Sequence, residues 1–382
     1  MESKRVLLVG ASFSAMPIFE VLKQEKFNIS VCGVDPDDPC HLYADESFYV
    51  DYSDREKLLD LCKNNFFDYI VPSCNDYSYN SCSYVANALG RFVGFDEFRS
   101  TNILHTKSGF RGLTEKLNLS IPKVFHDKND IKQEELPVII KPNDSFSGKG
   151  ITKLDSLDNF QRDFKVAKEN SRTNTAIVEE FVEGQLLSHS AFIKNGEIKT
   201  DFFVNEFCNT YDYQVDFSYI NYNLNEDIKR KIRAEIKTII KELRLVDGLI
   251  HTQIIVNENK FWLIETMRRC PGDLYGVLIE KSTGFNYVKY YTYSFINKSY
   301  EHIEPLRTEN IVRKTISSVS SCNFKSLQIP TYKNIEFYPL KNSGLKLSKA
   351  PFDKVGIIFG ELVNNEFGDN ENILIDKYNL DW

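Results

Sequence analysis

Apolar and polar positions alternate along the chain in a pattern that changes period several times. Arg5 to Gly10 (RVLLVG) holds four apolar residues in a row, which predicts a strand covered on both faces. The small-residue turn Gly10-Ala11-Ser12-Phe13-Ser14-Ala15 then predicts a helix running to about Lys26. A second strand is predicted from Ile29 to Val34, ending at Asp35. After Ser47 to Asp51 come a helix near Arg55 to Asn64, a strand over Asp68 to Pro72, and a helix from roughly Ser81 to Leu89 that closes on Gly90. Strands alternating with helices through short turns imply a parallel sheet with ligands at the strand C-termini. That puts Ser12, Asp35 and Ser73 to Asp76 on one rim, with Ser12, Asp35 and Asn75 as a candidate site for one substrate; the same residue types equally suit helix caps.

Further along, Ser100 to Leu117 reads as one helical segment carrying His105, Lys107 and Arg111. Val138-Ile139-Ile140 predicts a buried strand that ends on Lys141 and is stopped by Pro142. A helix over Asp155 to Lys168 buries Leu157, Phe160 and Phe164, and a strand over Ala176 to Val182 ends in Glu183-Gly184. Leu186 to Lys194 and Ile198 to Asn205 form a hairpin around Asn195-Gly196. The charged segment Asn225 to Leu243 is helical. Leu249 to Val256 and Lys260 to Glu265 flank Asn257-Glu258-Asn259, so that Gln253 and Glu265 can face each other across a hairpin. A helix follows over Leu274 to Lys281, then strand-like runs at Ile311 to Val319, Ile335 to Pro339 and Lys354 to Phe359.

The 382 residues suffice for two or three domains with substantial cores, and the net charge of -7 argues against a protein that neutralises nucleic-acid phosphates over a broad surface. The eight cysteines include no C-x-x-C pair, so buried thiols in a reducing compartment are expected. No secretory signal precedes Arg5 and no apolar run reaches the ~20 residues of a membrane span, so a cytoplasmic location is expected.

The loop after Lys141 offers Ser145, Ser147, Gly148, Lys149 and Gly150, whose amides and ammonium suit a phosphate, although an ordinary turn has the same composition. It is not a Walker loop, because its first lysine precedes the glycines. Gly10 to Ala15 lacks the second glycine of a dinucleotide fingerprint, which disfavours a nicotinamide enzyme.

Lys107, Lys141, the loop 145–150, the acidic-apolar strand 178–183, and Gln253 with Glu265 together resemble the ATP-grasp superfamily in order and spacing, over nearly the whole chain. The resemblance implies an α/β (α+β) ATP-grasp fold: an N-terminal Rossmann-like pre-ATP-grasp domain at 1–95, an ATP-grasp domain at 96–305 with a lid at about 120–183, and a small C-terminal α+β region at 306–382. It further implies that Lys107 and Lys141 clamp phosphate, that the loop 145–150 closes as a lid, and that Glu179, Glu180, Phe181, Val182 and Glu183 form the adenine-ribose hinge. Gln253 and Glu265 would bind Mg2+, with Mn2+ as a substitute. Arg269, or Arg268 beside it, would orient a carboxylate or phosphate. Two positions depart from the family pattern: Leu186 stands where a ribose-binding glutamate is common, with Glu183 as a substitute, and Met267 stands at a metal-ligand position, with Asp273 as a replacement oxygen donor.

The activity implied is ATP-dependent ligation of a carboxylate to an amine through an acyl phosphate. The substrates would be small molecules, with no nucleic acid or membrane partner, and a homodimer is compatible with the family. The alternatives are a purine- or bicarbonate-type biosynthetic ATP-grasp enzyme and a nucleotide-binding protein without catalysis.

Overall fold

The first apolar run becomes an inner strand of a parallel sheet, as its two-sided burial requires. This computed structural model describes residues 3–145, 148–299, 305–329, 333–361 and 374–378. β1 (Arg5–Val9), β2 (Asn28–Cys32), β3 (Glu46–Phe48) and β4 (Tyr69–Pro72) pair in the order β3-β2-β1-β4. Leu7 and Val9 pack with α3 (Arg55–Asn64) and α4 (Asp76–Leu89) on one face, while Val6 and Leu8 pack with α1 (Met16–Gln24) on the other. The short α2 (Pro39–Tyr43) follows β2.

Two helical expectations need correction. α4 starts at Asp76 rather than near Ser81, because the Asn75 side chain accepts from the Ser78 N–H at 2.9 Å. Its first turn carries a polar residue that is fully buried: the Ser78 hydroxyl donates to the Val9 carbonyl at 2.6 Å. An apolar-period reading misses such a turn. The segment from Ser100 to Leu117 is two helices, α5 (Phe98–His105) and α6 (Lys107–Lys116), separated by Thr106 in an extended conformation (φ -117°, ψ 135°). A Cβ at Gly109 would lie 2.5 Å from the Thr106 hydroxyl oxygen, so the close approach at the break needs glycine.

β5 (Val124–Phe125), β6 (Val138–Pro142), β7 (Thr152–Leu154) and β8 (Ala176–Glu180) form an antiparallel sheet in the order β5-β8-β6-β7. Pro142 is the last residue of β6 and pairs with Ala176. α7 (Phe160–Glu169) covers this sheet, beginning five residues later than its sequence suggests.

The largest sheet is built on β9 (Gln185–Lys194), β10 (Glu197–Phe207), β11 (Phe217–Ile220), β12 (Gly248–Asn257), β13 (Lys260–Met267) and β14 (Ile311–Ile316). Its order is β13-β12-β9-β10-β11-β14, continued by the strands Gly356–Glu361 and Lys333–Pro339. Ala191 and Ile193 point to one side, where α8 (Glu226–Leu243) buries Ile228, Ile232, Ile236, Ile239 and Ile240. Phe192 points to the other, among α9 (Tyr275–Thr283) and α10 (Tyr287–Tyr293). That second core also holds Val6, Leu8 and Ile18, so one continuous core joins the parallel sheet to the large antiparallel one. Among the described residues no helix is long and apolar enough to cross a membrane. All eight cysteines are free thiols.

Candidate active site

A cavity of ≈1200 Å³ lies where the three sheets meet. Its wall begins at the rim of the parallel sheet with Ser12, Ser14, Cys74, Asn75 and Asp76, passes Lys107 and Lys141, follows 180–186, and closes on Gln253, Glu265 and Arg269. Residues as far apart in sequence as Ser12 and Lys354 are thus assembled around one space.

Lys141 reaches the wall from the end of β6. Its Nζ donates to Glu179 Oε2 at 2.6 Å, and Arg111 Nε donates to the other carboxylate oxygen at 2.5 Å. Burial opposes ionisation of Glu179, but Lys141 and Arg111 hold its carboxyl down to about 2. Glu179 is fully buried and does not line the cavity. This corrects the expected hinge at its first position: Glu179 is the counter-ion of Lys141 and Arg111, while Glu180, Phe181, Val182 and Glu183 do face the cavity. Lys153 stands over the Phe181 ring at 4.4 Å, and Ile139, Ile255 and Ile264 give this end an apolar surface. Leu186 also lines it.

Lys107 opens α6 directly after the helix break. It donates to the Ser145 carbonyl at 3.0 Å, and its Nζ lies 3.9 Å from Glu265 Oε2. Gly148 and Gly150 adopt left-handed φ values of 71° and 74°. A Cβ on Gly148 would meet the Asp212 carbonyl oxygen at 2.9 Å, so the loop lies tightly against 212–213. Lys149 is turned from the cavity wall and stands over Phe352 at 5.3 Å. Ser147 lies outside the described residues.

Gln253 and Glu265 are direct partners across β12 and β13, as the hairpin reading expects. Gln253 Nε2 donates to Glu206 Oε2 at 3.2 Å. Sequence reading missed Glu206: it sits in β10, whose alternation marks it only as one more inward position. Burial raises its pKa most, with Glu265 adding to that effect, against Ser188, Arg313 and Gln253. The hard oxygen atoms of Glu265, Glu206 and Gln253 fit a Mg2+ ion, whereas the Met267 thioether beside them does not.

Three expected site residues are placed differently. Arg268 is buried away from the cavity, donating to Asp96 Oδ2 at 2.8 Å and to the carbonyls of Leu249 and Val246, both at 2.6 Å. It ties the end of β13 to the segment before α5 and does not line the cavity. Asp273 lines the cavity, but its carboxylate is engaged by Lys354 and accepts from the Thr315 hydroxyl at 3.1 Å. Asp35 accepts from its own Asp37 N–H at 3.0 Å and is not on the cavity wall, unlike Ser12 and Asn75.

Arg269 does line the cavity. Its Nε and Nη2 donate to Asp76 Oδ1 and Oδ2 at 3.1 and 2.9 Å. His105 Nδ1 lies 3.1 Å from Asp76 Oδ1, while its Nε2 accepts the Arg268 backbone N–H at 3.1 Å. The fully buried ring stacks on Tyr79 at 5.1 Å.

Residues 134–275 match the ATP-grasp domain family. The chain is 25% identical over 391 residues to formate-dependent phosphoribosylglycinamide formyltransferase of Prochlorococcus marinus subsp. pastoris, covering 97% of this chain and 94% of that protein. It is 27% identical over 191 residues to the enzyme of the same name from Methanocaldococcus jannaschii, of which it spans about half, 48%. Among solved structures it superimposes on phosphoribosylglycinamide synthetase from Anaerococcus prevotii (TM-score 0.75, 20% identity, 94% of each chain). It also superimposes on L-amino acid ligase from Bacillus licheniformis (TM-score 0.75, 15% identity, 94% of this chain and 93% of that one).

Proposed function

We propose that this chain, which belongs to the ATP-grasp superfamily, is an ATP-dependent ligase that joins a small carboxylate to an amine. The observation that carries the reading is the convergence of Lys107, Lys141, the 180–186 segment, Gln253, Glu265 and Arg269 on one cavity. The segment 180–186, with Ile139, Ile255 and Ile264, holds the adenosine end of ATP. Lys107 and Lys141 stabilise charge on the transferring phosphoryl group.

A carboxylate oxygen attacks the γ-phosphorus, ADP leaves with the electrons of the broken P–O bond, and an acyl phosphate results. The amine nitrogen then attacks the acyl carbon, phosphate departs, and the nitrogen loses a proton. Glu265, with the Gln253 amide and Glu206, would hold Mg2+, which when bound neutralises phosphate charge. Arg269 draws the substrate anion to the cavity and aligns it. The curated relatives are named for formate and a phosphoribosylated glycinamide, so formate is the first carboxylate to try, with amino acids and glycinamide-type amines as acceptors.

The test is phosphate release from Mg-ATP over a panel of such acids and amines, with product masses. A pair that gives ADP, phosphate and a product lighter than its reactants by one water supports the reading. ATP binding without turnover across the panel would replace it with a non-catalytic nucleotide-binding role.

A further inference from the structure

We infer that Asp76 is a positioning residue for Arg269, engaging one edge of the guanidinium so that only the remaining edge faces an anion in the cavity. The inference rests on the reading of Arg269 as the cavity's anion-binding arginine.

A guanidinium offers its most favourable carboxylate fork through Nε and one Nη. In Arg269 that fork is occupied by Asp76, at 3.1 and 2.9 Å. Among the described residues, Nη1 has a 3.4 Å contact to the Cys270 carbonyl and no carboxylate partner. A substrate anion therefore meets the Nη1/Nη2 end of a guanidinium whose charge is already partly compensated. Asp76 is itself fixed on three sides. It is the first residue of α4, next to the capping Asn75. It shares Oδ1 with His105, whose Nε2 receives the Arg268 N–H, so that Nδ1 carries the proton donated to Asp76. The His105 ring is clamped against Tyr79, and the chain turns at Thr106 directly into Lys107. One carboxylate from the parallel-sheet unit thus sets the direction of Arg269 and anchors the residue two positions before the phosphate lysine.

The physical consequence is that Asp76 weakens ground-state anion binding while fixing orientation, which favours the transition state over a tightly held substrate. This separates it from a merely structural residue. The test uses the full chain and titrates inorganic phosphate, by calorimetry, into the wild type, Asp76→Asn, Asp76→Ser and Asp76→Asn/Arg269→Gln. Freeing the fork is expected to tighten phosphate binding about tenfold in both single variants, and the gain is expected to vanish in the double variant. With a carboxylate–amine pair that the wild type turns over, the single variants are expected to lose about 100-fold in kcat while KM for ATP moves less than about threefold. Phosphate binding no tighter than wild type, a gain that survives loss of Arg269, or failure of both single variants to fold overturns the inference. If the wild type turns over no pair, the proposed function fails, and the phosphate titration still decides the role of Asp76.

Discussion

Lys141 and Glu179 meet diagonally across neighbouring strands, where Ile139 is the direct partner of Glu179, with Nζ and Oε2 2.6 Å apart, and Arg111 closes on the second carboxylate oxygen. All three charges are largely removed from water, so the pair is strong only while complete. Glu179→Ala leaves two buried cations without a counter-ion and is expected to cost about 3–5 kcal/mol, read from the urea midpoint. Glu179→Gln keeps the shape and some hydrogen bonding and is expected to cost less.

The same carboxylate predicts a pH dependence. Its folded pKa of about 2 lies below the ordinary 4.5, so its stabilisation is complete above pH 4.5 and is lost as the pH falls through about 2. At about 1.4 kcal/mol per pH unit the effect is ~3 kcal/mol. The stability gap between wild type and Glu179→Gln is expected to narrow by that order between pH 5 and 2. A gap that stays constant over the range rules the linkage out.

Gln253→Glu tests the oxygen site. The change places a third carboxylate next to Glu206 and opposite Glu265. Without divalent metal the like charges are expected to lower the melting temperature by several degrees, for ~1–2 kcal/mol of repulsion. Mg2+ is expected to restore it more than it stabilises the wild type. An equal Mg2+ shift in both proteins would show that no ion binds at this position.

The adjacent arginines are expected to fail in opposite ways. Arg268→Gln breaks the buried pair with Asp96 and two carbonyl contacts, so it should lower the melting temperature with bound and free protein affected alike. Arg269→Gln should leave more of the stability and remove turnover.

Lys141→Ala and Glu265→Ala are expected to reduce ADP formation by about 1,000-fold or more, with far-UV circular dichroism unchanged for Glu265→Ala. Full activity in either variant would falsify the assignment of phosphate and metal handling to this cavity.

The sequence makes the hairpin around Asn257-Glu258-Asn259 readable because a turn and local alternation fix its register from Asn257 and Lys260 out to Ile254 and Leu263; the bulge after Gln253 that sets it opposite Glu265 carries no such local mark. α8 is equally readable, since its isoleucines recur at helical spacing. Other features depend on pairs with no local signature. Asp76 meets Arg269 across 193 positions, Lys354 meets Asp273 across 81, and Arg111 meets Glu179 across 68. A strand reading makes Glu179 and Glu180 alternate faces but cannot say which face is the cavity. The break at Thr106 escaped for a different reason: no proline marks it, and helix continues on both sides of a single extended residue.

That break has a mechanical consequence. Lys107 and Arg111 stand one turn apart on a single helix, the first at the cavity and the second locked to β8 of the β5-β8-β6-β7 sheet through Glu179. The Lys107 and Ser108 N–H groups also donate to Asn143, the residue just past β6. Helix α6 and the β5-β8-β6-β7 sheet are therefore riveted together at both ends of one helical turn. Any movement that widened the cavity at this wall would have to carry them as one plate and find its compliance in the surrounding connections, leaving the spacing of the two lysines unchanged.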